Sequence, residues 1–121
     1  KPDLAMAHTS MGLLLGKQGR LDDALAEFRV ALRLNPKSAD TLCNMAVALS
    51  MQGKLDEAMA ALQKAVQITP ENPGAHGNLA VLYFGRKDYA SAWREVNLCR
   101  QYGGSPSTGF LQNLAAKMPE P

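Results

Sequence analysis

No stretch of this sequence is long and apolar enough to cross a bilayer. The longest candidate, Met11 to Leu15, is interrupted by Gly12 and closed by Gly16, whereas a spanning helix needs about 20 apolar residues. Charge of one sign is also scarce. Thirteen Lys and Arg against 11 Asp and Glu leave a formal net charge of +2. The two signs are interleaved, with no basic stripe carrying aromatic residues between, which argues against nucleic acid as a partner. Cysteine is limited to Cys43 and Cys99, whose spacing fits neither a zinc motif nor a CxxC pair. Each is read as a free thiol, buried or half-buried, rather than a disulfide or metal ligand. No HExxH, GxSxG, phosphate-binding glycine loop or dinucleotide fingerprint occurs. The reading is therefore non-enzymatic, with no catalytic residue, cofactor or metal assigned. The chain begins at Lys1 without a charged-then-apolar leader, as expected of a processed or excised segment. Unpaired cysteines make the cytoplasm the default compartment. Disorder is not expected, since 46% of the residues are hydrophobic and 20% charged. A chain of 121 residues suffices for one domain with a core.

What the sequence does contain is a repeat. The segment GRLDDALAEFRVALRLNP returns 34 residues later as GKLDEAMAALQKAVQITP. Gly19 recurs as Gly53, Leu21 as Leu55, Ala24 as Ala58, Ala31 as Ala65 and Pro36 as Pro70. A weaker third copy places Tyr89, Ala92, Val96 and Cys99 at the positions of Leu55, Ala58, Leu62 and Ala65. A fixed period of this length implies stacked supersecondary units rather than one core with a private active site.

Each unit reads as two short helices. Leu4, Met11, Leu14 and Leu15 fall at helical spacing before the breakers Gly16 and Gly19. A second helix starts near Asp22, where Asp22 and Asp23 favour the positive end of its dipole, and Asn35-Pro36 ends it. Asp56 and Glu57 repeat that acidic pair. They are expected on the outer face, not converging as an acid–base couple. No segment alternates with period two, so the fold class is all-α. Small residues recur where helices must cross closely: Gly12, Ala46 and Ala80 on the first helices, Ala24, Ala58 and Ala92 on the second. Phe28, Leu62 and Val96 fill the space beside them. After the third unit, Ser105 is expected to cap, and Pro106 to open, a last helix carrying Phe110, Leu111, Leu114 and Met118. Seven helices are expected. Tyr83, Phe84, Tyr89 and Trp93 are read as packing against that last helix. His8 and His76 are read as packed side chains rather than ligands or catalysts. Lys87 stands where Gly19 and Gly53 stood. If that turn needs a left-handed backbone, Lys is strained there by about 1 kcal/mol.

The pattern of Gly12, Leu15, Gly19, Ala24, Phe28, Ala31 and Pro36 resembles the tetratricopeptide repeat family. Units at 5–38, 39–72 and 73–106, with a capping helix over about 106–118, then make residues 1–121 a single domain. The resemblance implies a right-handed α–α superhelix whose first helices line a concave, protein-binding face. Its groove positions are Thr9, Ser10, Leu13 and Lys17 in the first unit. They continue as Cys43, Asn44, Val47 and Met51, then Gly77, Asn78, Val81 and Phe84.

Some members of the family grip the C-terminal carboxylate of chaperones with Lys, Arg and Asn. Here those positions hold Thr9, Leu13, Asn44, Gly74 and Asn78, and a carboxylate needs cationic donors. Only Asn44 matches. Others, such as the superhelix of the O-linked N-acetylglucosamine transferase, carry a ladder of Asn that contacts a peptide backbone. Asn44 and Asn78 share one position in successive units, with Ser10 as its counterpart in the first. A primary amide both donates and accepts, so it pairs with a peptide whatever its side chains. Leu13, Val47 and Val81 form an apolar ladder beside them. The peptide-binding set is thus Ser10, Leu13, Lys17, Asn44, Val47, Met51, Asn78 and Val81. Two structural readings stand beside it: Asn bonding unit to unit, and the apolar ladder as interhelical packing. The function expected is a protein–protein interaction module for a peptide or helix of a partner. The alternatives are self-assembly through the apolar N-terminal end (Leu4, Met6, Met11, Leu14), or the non-catalytic part of a larger enzyme.

Overall fold

The computed structural model describes the backbone of residues 2–121 and the side chains of residues 4–121. Among the described residues the chain forms seven helices and no strand. They are α1 (Pro2–Lys17), α2 (Leu21–Leu34), α3 (Ala39–Met51), α4 (Leu55–Ile68), α5 (Pro73–Gly85), α6 (Tyr89–Gln101) and α7 (Thr108–Lys117). α1 packs on α2, α3 on α4 and α5 on α6, while α2 meets α3 and α4 meets α5. The pairs therefore stack as a helical-repeat superhelix, and α7 packs on α6 as a cap. α3 also touches both α1 and α5, so the three first helices lie side by side.

The same turn joins the helices of each pair. At the end of α1, the Gly19 N–H donates to the Gly16 carbonyl and the Arg20 N–H to the Leu15 carbonyl. Gly53 and Lys54, then Lys87 and Asp88, repeat these bonds onto Ser50, Leu49, Phe84 and Tyr83. This closure needs a left-handed residue. Gly19 and Gly53 both sit at φ 79°, and Lys87 is driven to φ 63°. The strain expected at Lys87 is present.

Helix starts differ in how they are capped. Ser38, Asn72, Asp88 and Ser107 each accept from a backbone N–H three residues on, whereas Arg20 and Lys54 offer no side-chain cap. The last of these corrects the sequence reading, since α7 starts at Thr108 with Ser107, not Ser105, as its cap. Gly104 explains the delay. A Cβ there would stand 2.5 Å from Cys99 Sγ and 2.8 Å from Pro73 Cβ. The chain is thus pressed onto α5 and α6 before it is free to turn, and Pro106 stays outside the helix.

Packing follows a trade in volume. A Cβ on Gly12 would come within 2.5 Å of the Phe28 ring, so the largest partner faces the smallest residue. Ala46 and Ala80 stand one and two periods on, with the smaller Leu62 and Val96 at the partner's position; all four are buried. The core divides in two. One cluster, centred on Phe28 and aliphatic side chains, runs from α2 to α5, and a second joins Ala80, Ala92, Trp93, Val96 and Leu114 with Phe84, Tyr89 and Phe110 around them. Phe84 meets both Tyr89 and Phe110 edge-on at 5.6 Å, and Trp93 Nε1 donates to the Met118 carbonyl at 2.7 Å. Phe84, Tyr89 and Trp93 thus serve the cap, whereas Tyr83 packs against both clusters.

Both histidines are packed, with partners the sequence reading did not name. His8 Nδ1 lies 2.7 Å from Glu27 Oε1, and His76 Nδ1 lies 2.8 Å from Glu95 Oε1. His76 is also 2.6 Å from the Pro70 carbonyl through Nε2 and stacks on Tyr102. In the middle unit these two positions hold Leu42 and Ala61, both buried.

Candidate peptide-binding groove

The face formed by α1, α3 and α5 carries a succession of hollows. The first, about 370 Å³, brings together Leu13 and Lys17 of α1 with Asn44, Val47 and Met51 of α3. The second, about 260 Å³, joins Val47 and Met51 to Asn78 and Val81 of α5. In the third, about 370 Å³, Asn78 and Val81 face the Gly104–Ser107 segment and Phe110. Each hollow shares residues with the next, so seven of the eight expected residues line one continuous track. Ser10 does not join it. It lies in a separate hollow of about 220 Å³ with Thr9, Asn35, Ser38 and Asp40.

The apolar ladder is not interhelical core. Leu13, Val47, Met51 and Val81 are 43%, 44%, 62% and 50% exposed. Asn44 and Asn78 are half-buried beside them. Other groups of α3 and α5 make these helices' side-chain hydrogen bonds, namely Asp40, Thr41, Ser50 and His76. Unit-to-unit bonds are likewise made elsewhere. Thr9 and Thr41 hydroxyls stand 2.9 Å apart, and Asn72 donates to Asp40 at 3.4 Å. Gln52 donates to Asp22 at 2.6 Å and Arg86 to Asp56 at 2.7 Å. Asp22 and Asp56 thus bridge units as well as favouring the dipoles of their own helices. The 34-residue spacing of both donor and acceptor was the signal that would have revealed the bonds.

Three further groove candidates are engaged away from the track. Thr9 is engaged with Thr41, Phe84 belongs to the cap cluster, and Cys43 is only 8% exposed. Burial, with the Asp40 carboxylate adding to it, pushes the Cys43 thiol up to about 11. Burial also raises the Cys99 thiol. Both cysteines are free and buried, as expected. Among the described residues no group of His, Cys, Asp and Glu is placed to hold a metal ion. Nor, among the described residues, is any helix long and apolar enough to cross a membrane.

Paired helices at a fixed period, left-handed turns at the same place in each unit and a track along the first helices define a helical-repeat interaction fold. Residues 9–73 match a tetratricopeptide repeat model, and residues 51–98 match a second one. The chain belongs to the tetratricopeptide repeat family. Among solved structures, the first such domain of human RPAP3 superposes with a TM-score of 0.89 at 18% identity, covering 98% of this chain and 94% of that one. The first domain of Spaghetti (RPAP3), bound to the HSP90 peptide SRMEEVD, gives 0.86 at 17%, covering 96% and 94%. The Sgt2 domain from Aspergillus fumigatus gives 0.83 at 21%, covering 93% and 76%. No curated protein sequence matches the chain.

Proposed function

We propose that this domain is a non-catalytic interaction module that holds a peptide of a partner protein along α1, α3 and α5. The observation that carries the reading is the unbroken track in which Asn44 and Asn78 alternate with exposed Leu13, Val47, Met51 and Val81. The two amides pair with peptide backbone, and the apolar ladder buries alternate side chains. Lys17 supplies a cation at the α1 end. The Spaghetti domain holds an HSP90 peptide rich in carboxylates. Here Thr9, Leu13, Gly74 and Asn78 are uncharged at the positions compared with a carboxylate clamp. The ligand is accordingly an apolar segment recognised through its backbone.

Selection of a random peptide library on the immobilised domain supplies ligands for the test. Two backbone hydrogen bonds at roughly 0.5–1.5 kcal/mol each make Asn44→Ala/Asn78→Ala weaker by about five- to hundred-fold, with helicity unchanged. Selected peptides that bind both forms equally remove the ladder from the function.

A second reading rests on α1, where Leu4, Met6, Met11 and Leu14 are 49%, 67%, 47% and 51% exposed. Apolar exposure of this kind marks an association surface, here one that stacks on a further copy. Sedimentation that depends on concentration in the parent and not in Leu14→Glu is its expected result.

A further inference from the structure

The groove between α2 and α4 lies away from the Asn track and has its own chemistry. It measures about 610 Å³, and its floor is apolar: Leu32, Leu42, Met45, Leu49, Ala60 and Ala61. Two of its floor residues, Leu42 and Ala61, stand where the other two units carry a His–Glu pair. Where Glu27 and Glu95 extend toward a histidine at 2.7 Å and 2.8 Å, Ala61 ends at its Cβ.

The banks are charged. Arg29 and Arg33, one helical turn apart, stand on α2, and Lys64 stands on α4, all exposed. Among the described residues none of the three is in an ion pair. Glu57, where α4 begins, is the single carboxylate of the lining. These four groups account for the whole of the chain's net +2. The corresponding place one unit on is a built-in control. It has Gln63 and Gln67 for Arg29 and Arg33, Leu98 for Lys64, and the buried His76–Glu95 pair for Leu42 and Ala61.

We infer that the α2–α4 groove is a second binding site, which takes an acidic amphipathic helix of a partner protein. Apolar side chains of that helix lie on Leu42, Met45 and Ala61, and its flanking carboxylates meet Arg29 and Arg33 on one bank and Lys64 on the other. Cations on both banks, spread over more than a helical turn, suit several carboxylates around an apolar stripe. A single-headed amphiphile such as a fatty acid engages only one of them.

The probe is a fluorescein-labelled helical peptide of Leu at i, i+3, i+4 and i+7 with Glu at the flanks, followed by anisotropy. Two variants copy solutions the chain already accommodates, which protects the fold. Arg29→Gln/Arg33→Gln reproduces Gln63 and Gln67, and Leu42→His/Ala61→Glu reproduces the pair that occupies the equivalent positions. Saturable binding is expected, weakened by salt and lowered at least about tenfold in each variant. Asn44→Ala/Asn78→Ala leaves it unchanged, which separates this site from the concave track. Absence of saturable binding, or an affinity unchanged in both groove variants, overturns the inference. So does occupation by decanoate alone, lost in Leu42→His/Ala61→Glu, with no peptide bound.

Discussion

The α3–α4 and α5–α6 units occupy successive places in one stack and treat the same two positions in opposite ways. In the first, Leu42 and Ala61 line a recess. In the second, the same positions hold His76 and Glu95 in a buried contact at 2.8 Å. The helix pairs nonetheless pack alike, because the crossing residues and the turns set the frame. The difference teaches that the frame tolerates either chemistry at these two positions.

The largest expected effect comes from breaking the pair. Glu95→Ala leaves a histidine side chain that is 5% exposed without its partner, at a cost of about 2 kcal/mol in denaturant unfolding. His76→Leu/Glu95→Ala rewrites the third unit as the second and returns stability to within about 1 kcal/mol, since replacing both partners of a buried pair by apolar groups is often neutral. A double variant as unstable as the single one breaks the equivalence of the two units.

Next in size are the turns. Lys87→Gly relieves a left-handed backbone and stabilises by about 1 kcal/mol, and Gly53→Lys imposes the same strain on the middle unit. Thermal melts moving in opposite directions sharpen the comparison. Identical melts show that the turns are not equivalent after all.

The smallest effect is the acid response of the third turn. The Ser91 hydroxyl, and then its backbone N–H, hold the Asp88 carboxyl below its ordinary 3.8. A depressed carboxyl contributes stability above its unfolded value and loses it as the pH falls through the folded one. The difference between the parent and Asp88→Ala is therefore constant near neutrality and shrinks below pH 3.8. Arg20 and Lys54, at the same place in the other turns, have no side-chain cap to lose.

The frame was legible because its determinants are local and periodic. Gly19 and Gly53 declare one backbone requirement that Lys87 meets without declaring it, and Gly12 opposite Phe28 declares a crossing. The groove track was legible for a related reason, as Asn44 and Asn78 repeat on a face whose other positions are used in packing. What escaped notice was relational. Glu27 and Glu95 stand 19 residues from their histidines and are replaced together with them in the middle unit, a co-variation visible only once the pair is known to touch. The start of α7 was hidden differently. Ser105 and Ser107 are equal as caps, and only the pressure of Gly104 on Cys99 and Pro73 chooses between them. Ser10 left the track because its place on α1 faces Asp40 and the α2–α3 turn, a neighbour that periodicity alone does not identify.

The bond from Trp93 to the Met118 carbonyl has an optical consequence. Trp93 is the chain's one tryptophan, 3% exposed under the final helix. Undocking α7 wets the indole and moves its emission to longer wavelength, while far-UV ellipticity loses only ten helical residues. Stacked units open from their ends, so the two signals part company when the array loosens at its C-terminal end. They coincide when it melts as one.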